Sequence, residues 1–187
     1  MKKPELTSKI ANMIIQPFFR YCPNCREDTL DFRENKHYQC RKCNWEYFHN
    51  TATAAGAVLF CGNRILMITR GHEPGMGKLD IPGGFVDPGE SAEEACVREV
   101  KEEIGIELKH LQYYKSYSNL YPYKGVQYTT CDIIFWTILD FIPEDICNKE
   151  VLKIQLCDPC RIDNNELAFD STKALIRDIG RINPLKK

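Results

Sequence analysis

The chain has 187 residues, 43% of them hydrophobic, which suffices for one ordinary core with a small appendage, so two large domains are not expected. Its 25 basic residues nearly balance the 26 acidic ones, so no overall field attracts nucleic acid or an anionic membrane. Any anionic ligand must therefore be held locally.

Residues 1–20 form an N-terminal segment without the continuous apolar core of a signal peptide. No later run approaches the roughly 18 apolar residues of a membrane-spanning helix. Without an export signal, the ten cysteines are expected to be reduced thiols or metal ligands. A cytoplasmic location is therefore predicted.

Residues 21–49 contain two Cys-x-x-Cys pairs, in the segments YCPNCR and QCRKCN. Their spacing suits one tetrahedral zinc ion. Between them, TLDFRENKHYQC alternates around a turn at ENK and predicts a hairpin, so the unit is predicted to be a zinc ribbon stabilised by its metal. The alternative is four unliganded cysteines in a mobile arm. Because Arg26 follows the first pair, we expect strain in that turn. The predicted zinc ligands are Cys22, Cys25, Cys40 and Cys43.

Residues 50–187 are predicted to form the main domain. The apolar runs TAAGAVLF and ILMITR flank a turn centred on Gly62 and Asn63, which predicts a hairpin. From Gly71 to Gly89 the chain has six glycines and three prolines, which predicts a long loop. Loops of that length are usually functional.

A helix is predicted from Ala92 to Ile104. Ser91 and Glu94 form a capping box at its start, and Gly105 is a natural stop. Further along, Asp132 to Leu139 is a continuous β-rich apolar run typical of a buried strand. A closing helix is predicted to begin at Asp170 or Ser171.

Three glutamates of the predicted helix share one side. At about 100° per residue, Glu99 and Glu103 occupy a narrow sector and Glu102 lies beside them. Glu103 also points among the apolar positions, and like charges at these spacings repel, so a solvated face explains neither feature. A hard cation such as Mg²⁺ (or Mn²⁺) explains both, since it binds carboxylate and phosphate oxygens. The three glutamates are therefore the predicted metal ligands.

The segment GFVDPGESAEEACVREVKEEIGI fills every defined position of the Nudix box, and the chain resembles Nudix hydrolases from about Thr51 to Ile179. The resemblance implies an α/β fold (α+β) with a mixed sheet sandwiched between helices. It adds the carbonyl of Gly84 as a metal ligand. It also implies that Arg98 pairs with Glu90 to hold loop and helix together, the alternative being an ordinary surface pairing within the helix.

Residues near the box are predicted to contact substrate. Loop amides just ahead of the helix can meet phosphate oxygens. Arg70 and Lys78 are placed to meet phosphates, although either alone is more typical of a solvated surface charge. The tyrosines of LYPY, in a loop after the box, either stack on a base or nicotinamide or pack as a proline turn on the core. The predicted substrate contacts are Arg70, Lys78, Gly83, Gly84, Tyr121 and Tyr123.

A zinc ribbon joined to this domain resembles the NADH pyrophosphatase branch, although that branch carries Ser-Gln-Pro-Trp-Pro-Phe-Pro where this chain has YSNLYPYKGVQYTTCD. The expected activity is Mg²⁺-dependent hydrolysis of a diphosphate linkage in NADH, ADP-ribose or a related dinucleotide. The alternatives are a catalytically silent nucleotide or RNA sensor and a ribbon that docks a partner protein. The intact run REVKEE argues against the silent sensor.

The sequence predicts a small nucleotide as the ligand, with no membrane and no nucleic acid as partner, and leaves a homodimer open. The general base is Glu103 or a distal acid. The segment from Cys147 to Leu167, which includes the pair Cys157 and Cys160, has no assigned structure, and that pair is interpreted as small core residues rather than a metal site. The distal acids considered as bases are Glu144, Glu150 and Glu166.

Overall fold

The N-terminal cysteine segment folds as a small antiparallel sheet in the computed structural model, which describes residues 18–141 and 149–181. The predicted hairpin is confirmed, and its turn places Glu34 and Asn35 at φ of 51° and 56°. A third strand, which the sequence did not predict, pairs with the second. In order along the sheet the strands are β1 (Leu30–Arg33), β2 (His37–Cys40) and β3 (Glu46–Phe48).

The chain divides into two compact units, Met1–Thr51 and Ala52–Lys187. The second unit contains a seven-stranded mixed sheet and two helices. Within residues 18–141 and 149–181, no helix is long and apolar enough to cross a membrane. The elements are β4 (Ala52–Cys61), β5 (Arg64–Arg70), β6 (Leu79–Asp80), β7 (Gly83–Phe85), α1 (Ala92–Ile104), β8 (Gln112–Tyr123), β9 (Val126–Ile138), β10 (Val151–Cys157) and α2 (Asp170–Arg181), with a 3₁₀ turn at Asn164–Glu166.

The main sheet has the strand order β10-β5-β4-β9-β8. β4 runs parallel to β9, and the other neighbours on this path are antiparallel, which confirms the predicted mixed sheet. The β4–β5 hairpin is also confirmed, with Gly62 at φ 61° in its turn. The predicted loop from 71 to 89 is partly wrong, because it contains β6, which pairs with β5, and β7, which pairs with β4. These short strands attach the loop to the sheet edge.

Side chains of β4 alternate between two apolar cores on opposite faces of the sheet. Ala57 and Leu59 join the core that α1 covers, whereas Val58 and Phe60 join the core that α2 covers. The sheet is therefore packed between helices, as the sequence predicted.

Helix α1 begins and ends where the sequence predicted. The Ser91 side chain accepts a hydrogen bond from the amide of Glu94, and the Glu94 carboxylate accepts one from the amide of Ser91. Gly105 ends the helix in the left-handed region at φ 71°. Ala95, Cys96, Val100 and Ile104 are buried on its inner face. This fixed frame positions the glutamates of the box.

Two predictions downstream need correction. The segment from Tyr117 to Asp132 is not a loop, because β8 and β9 continue through it and turn at Lys124 and Gly125. The strand predicted from Asp132 is real but begins at Val126. The closing helix begins at Asp170 as predicted. Part of the unassigned segment forms β10 beside β5, while Glu144 and Cys147 lie outside the described residues.

Candidate active site

Glu103 of α1 is 7% exposed, and its side chain lies against strand β7. Its carboxylate accepts a hydrogen bond of 2.8 Å from the amide of Gly83, which β7 holds in place. Burial raises the pKa of Glu103 to about 8, and the negative charges of Asp80 and Glu99 add to this effect. The site therefore holds a carboxyl group whose ionised form is disfavoured by burial despite the hydrogen bond from Gly83.

Glu99 lies against the backbone of Gly84. A Cβ atom at Gly84 would lie 2.4 Å from the carboxylate of Glu99, so only glycine allows this approach. Burial raises the pKa of Glu99 despite its hydrogen bond from Arg98. The Glu99 carboxylate is an oxygen donor of the kind that hard divalent cations prefer.

Arg98 ties the box together. Its guanidinium donates two hydrogen bonds to Glu90, at 2.7 and 2.9 Å, and this is the pairing that the family resemblance implied. It also donates to Glu99 at 2.8 Å and to Glu102 at 3.2 Å, so the alternative pairing within the helix is present as well. A further bond of 3.1 Å reaches the carbonyl of Phe85. Arg98 thus fixes the loop and orients the neighbouring carboxylates.

Glu99 and Glu103 line a pocket of about 320 Å³, but Glu102 does not. The Glu102 side chain is 58% exposed and turns toward Arg98. The three glutamates therefore share one side of the helix without converging on one point. Gly83 and Gly84 line the same pocket, as predicted for substrate contacts. The pocket places two carboxylates and two glycine backbones around a common space.

Arg70 lines this pocket but is already engaged. It is 8% exposed, and its guanidinium lies 3.3 Å from the carboxylate of Asp80 and donates to the carbonyl of Pro74 at 2.8 Å. It also stacks 4.9 Å above the ring of Phe169. The other predicted cation, Lys78, is exposed and is not among the residues that line the pocket.

The two tyrosines of LYPY differ in position. Tyr121 lines the pocket between the rings of Phe85 and Phe169, with centroids 5.3 and 5.5 Å away. Tyr123 is 43% exposed and lies outside the lining. Tyr121 therefore combines both interpretations, because it packs on neighbouring rings and also faces the pocket.

The sequence did not predict a polar group of the pocket that includes Thr130 and Asp132. Asp132 accepts a 2.6 Å hydrogen bond from Thr130, and burial raises its pKa. Thr130 and Asp132 lie two residues apart on β9, and strand pairing sets Asn119 of β8 beside Thr130, but none of the three belongs to a recognisable motif. Of the acids considered as bases, Glu150 lines the pocket, whereas Glu166 accepts from the amide of Asp163 in the 3₁₀ turn. The missed lining residues include Asp80, Asn119, Thr130, Asp132, Phe169 and Ser171.

The four N-terminal cysteines form a compact thiol group. Cys22 and Cys43 have Sγ atoms 3.7 Å apart, Cys25 and Cys40 have theirs 3.6 Å apart, and all four lie within 4.8 Å of one another. Four sulfurs at about 2.3 Å from a central ion would be about 3.8 Å apart, so the group fits a tetrahedral metal. Among the described residues, this is the one set of three or more ligand side chains gathered so closely.

Both Cys-x-x-Cys turns have the backbone shape expected of a zinc ribbon. Arg26 and Asn44 follow the pairs at φ of 64° and 59°, and their amides donate to the carbonyls of Cys22 and Cys40. The strain expected at Arg26 is therefore present, since a non-glycine residue adopts the left-handed region.

The fold and the pocket define an α/β protein that presents carboxylates of one helix to a partly aromatic cavity. The sequence pattern described as NUDIX domain matches residues 50–176 of this chain. The chain therefore belongs to the Nudix family, and the resemblance stated from the Nudix box is confirmed.

Relatives in this family include a protein named as a pyrophosphatase and one named as an RNA hydrolase. The chain is 35% identical over 136 residues to an ADP-ribose pyrophosphatase of Methanocaldococcus jannaschii, covering 72% of this chain and 76% of that protein. It is 30% identical over 104 residues to the NAD-capped RNA hydrolase NudC of Pseudomonas putida, covering 56% of this chain but only 37% of that protein. The expected enzyme class, a Nudix-type pyrophosphohydrolase, agrees with both names.

Solved structures share the fold. A NUDIX hydrolase from Nitrosomonas europaea superposes with a TM-score of 0.59 at 22% identity, covering 90% of this chain and 94% of that chain.

Proposed function

We propose that this protein hydrolyses the diphosphate linkage of a nucleoside diphosphate derivative, with Mg²⁺ or Mn²⁺ as cofactor. The observation that carries the proposal is the single pocket lined both by Glu99 and Glu103 and by Tyr121 and Phe169. The carboxylates suit a cation with a diphosphate, and the rings suit a base or nicotinamide. ADP-ribose, NADH and related dinucleotides all have these two parts.

The donor set supports the cation. Glu99 and Glu103 are carboxylates whose pKa values burial raises, and the backbone of Gly84 adjoins Glu99. We assign the ligands as Glu99, Glu103 and the carbonyl of Gly84, with Glu102 at the outer edge. When bound, a divalent cation neutralises the diphosphate and lowers the pKa of a water molecule.

The remaining work falls to residues of the chain. Gly83 fixes one carboxylate oxygen of Glu103 through its amide, which orients the group toward the pocket. Glu103 is the proposed proton acceptor, because its carboxylate lines the pocket and a bound cation would keep it ionised. Glu150, at the same pocket, is the second candidate. Arg98 keeps the Glu99 carboxylate and the loop in register.

Among the candidate substrates, ADP-ribose has the strongest support from the relatives. The protein that the chain matches over most of both lengths is named an ADP-ribose pyrophosphatase. The NudC relative is much longer than the matched region, so its named activity is a weaker guide.

A substrate panel tests the proposal. ADP-ribose, NADH and a set of nucleoside triphosphates would each be incubated with the full chain and Mg²⁺, and products separated by chromatography. We expect ADP-ribose or NADH to yield two monophosphates, with no turnover when the cation is chelated. Cleavage of triphosphates alone, with both diphosphate-linked compounds inert, would overturn the proposed substrate class. Tight binding without turnover of any compound would favour the catalytically silent sensor.

We further propose that the cysteine group of the ribbon holds one structural Zn²⁺. Thiolates are the ligands that structural zinc prefers, and their spacing of 3.6 to 3.7 Å supports a tetrahedral site. A hydrogen bond with Thr29 lowers the pKa of Cys40 to about 6, which favours the thiolate form.

A further inference from the structure

Besides the glutamates of α1, the pocket is lined by a polar group from β8, β9 and α2, called here the floor, which consists of Asn119, Thr130, Asp132 and Ser171. Cross-strand pairing sets Asn119 beside Thr130, and Ser171 lies in the first turn of α2. Asn119, Thr130 and Ser171 are each no more than 5% exposed. Because polar groups this deeply buried need partners, the floor is a built arrangement rather than an exposed surface.

Small residues of β4 create the space above this floor. Ala54 pairs with Asp132 and Gly56 pairs with Ile134, so both lie on the same face of the sheet as the floor. A Cβ atom at Gly56 would lie 3.0 Å from the Ile81 side chain, which leaves no room for a larger residue. The volume of about 320 Å³ is at the lower end of the range for small-molecule sites, so it suits one half of a dinucleotide.

The walls favour a flat aromatic ligand. The rings of Tyr121 and Phe169 pack against each other with centroids 5.5 Å apart, and both line the pocket. Ile81, Ile134 and Leu175 complete its apolar lining. A heteroaromatic ring gains stacking and burial against such walls, whereas a ribose, whose surface is mostly hydroxyl, gains less. The glutamates belong to α1 and the floor to β8, β9 and α2, so with the diphosphate assigned to the glutamates we infer that the base is the part that reaches the floor.

Asp132 is the acceptor of the floor. Its carboxyl accepts a hydrogen bond from Thr130, and the neutral side chains of Ser171 and Asn119 lower the pKa of Asp132 against the effect of burial. A carboxylate offers about four acceptor sites, so one more N–H can be accommodated. Asp80, another acid that lines the pocket, instead lies beside Arg70 and accepts a hydrogen bond from Thr172 at 2.7 Å. Asp132 is therefore the acid suited to a neutral N–H donor of a ligand.

We propose that Asp132 and Asn119 recognise an amino-bearing base. The Asp132 carboxylate accepts a hydrogen bond from the exocyclic amine of the base. The Asn119 side-chain amide donates one of its N–H groups to the ring nitrogen next to that amine. Adenine and cytosine carry this donor next to an acceptor, whereas hypoxanthine and uracil present a carbonyl beside an N–H. The inference rests on the proposed function for the orientation of the substrate, but its test requires no cleavage.

Equilibrium binding of ADP, IDP, CDP and UDP to the full chain with Mg²⁺, measured by titration calorimetry, tests this. ADP and IDP, like CDP and UDP, differ only at this edge of the base, where an amine beside a bare ring nitrogen is replaced by a carbonyl beside an N–H. We expect ADP to bind at least about 10-fold tighter than IDP, and CDP than UDP. Asp132→Asn, which keeps the shape but can donate to a carbonyl, should abolish or invert both preferences. Asp140→Asn, the same change at an exposed residue, should leave them intact.

Several results would overturn the proposal. Affinities within about twofold for both pairs, or no binding of any of the four, would exclude recognition of the base by the floor. Equal weakening of all four by Asp132→Asn would assign that residue a structural role. If 2′-deoxy-ADP binds more weakly than ADP while IDP binds as tightly as ADP, the floor contacts the ribose rather than the base. If the variant does not fold, the wild-type comparison decides alone, and turnover in the substrate panel judges the proposed function separately.

Discussion

Glu103 shows at the scale of one residue how the fold prepares a cation site. A carboxyl group that is 7% exposed and faces two other acids is disfavoured as an anion, and the amide of Gly83 and the positive charge of Arg70 offset only part of this effect. The folded protein therefore holds a proton on Glu103 more tightly than the unfolded chain does. A divalent cation would reverse that preference by favouring the ionised form.

This environment predicts how pH affects the metal-free protein. The pKa of Glu103 is raised from 4.5 to about 8 on folding, so stability is lost as pH rises between these values. Glu103→Gln removes the titration. In chelator, we expect the variant to match wild type at pH 5 and to be more stable at pH 8.5 by at least about 1 kcal/mol, or about 2 to 4 °C in melting temperature.

Thermal melting of both proteins across this pH range provides the measurement. Glu93→Gln, an exposed change on the same helix, serves as the control and should show no such pH dependence. A melting difference for Glu103→Gln that is the same at pH 5 and pH 8.5 would contradict the description of Glu103 as a destabilised anion.

The residues that sequence could identify differ from those it could not for a physical reason. Glu99 and Glu103 are four positions apart on one helix, so the helical period alone places them together. Asp80 and Asp132 come from strands distant in sequence, and only sheet pairing and α2 bring them to one pocket. The charge of Arg70 made it a predicted substrate contact. Its pairing with Asp80 could not be predicted, because it depends on β6, which lies within a segment whose composition predicts a loop.

At the scale of elements, α1 is the part of the fold that the sequence defines best. Its cap, apolar stripe and stop are all local, so its bounds follow without knowledge of the rest. The hairpin of β8 and β9 was hidden because its tip is polar and contains a proline, and because both of its faces are partly buried. The strands β6 and β7 are two and three residues long and exist only through pairing with β5 and β4.

The capping box of α1 gives a prediction at this scale. Ser91→Ala removes the side-chain acceptor of the Glu94 amide, which costs about 1 kcal/mol and should lower the melting temperature by about 2 to 4 °C. Ser116→Ala, at an exposed position of β8, is the matched control and should change it by less. Equal melting temperatures for the two variants would show that the cap contributes nothing measurable to the domain.

At the scale of the whole molecule, the two units have different sources of stability. The second unit has two apolar cores, whereas the described part of the first unit buries few side chains beyond Cys22, Tyr38 and Cys40. A segment of that size cannot stay folded on its hydrophobic contacts alone, and zinc can supply about 10 to 16 kcal/mol.

Metal analysis of the purified chain should therefore find one zinc per molecule. Cys22→Ser combined with Cys43→Ser should abolish it and change the fluorescence of Trp45, which stacks on Tyr47 in the ribbon. Cys157→Ser combined with Cys160→Ser, the matched pair of changes outside the ribbon, should leave the zinc in place. Absence of stoichiometric zinc from the wild-type protein, or its retention in the first variant, would refute the zinc ribbon.

The central claim is that the carboxylates of α1 form the cation-dependent catalytic site, and the turnover rates of Glu99→Gln and Glu103→Gln test it most directly. Each change keeps the shape but removes a ligand charge, so the rate on the best substrate with Mg²⁺ should fall by at least about 10² to 10³, while melting shows an intact fold. Glu93→Gln should retain normal turnover. Near-normal rates in both site variants would contradict the account.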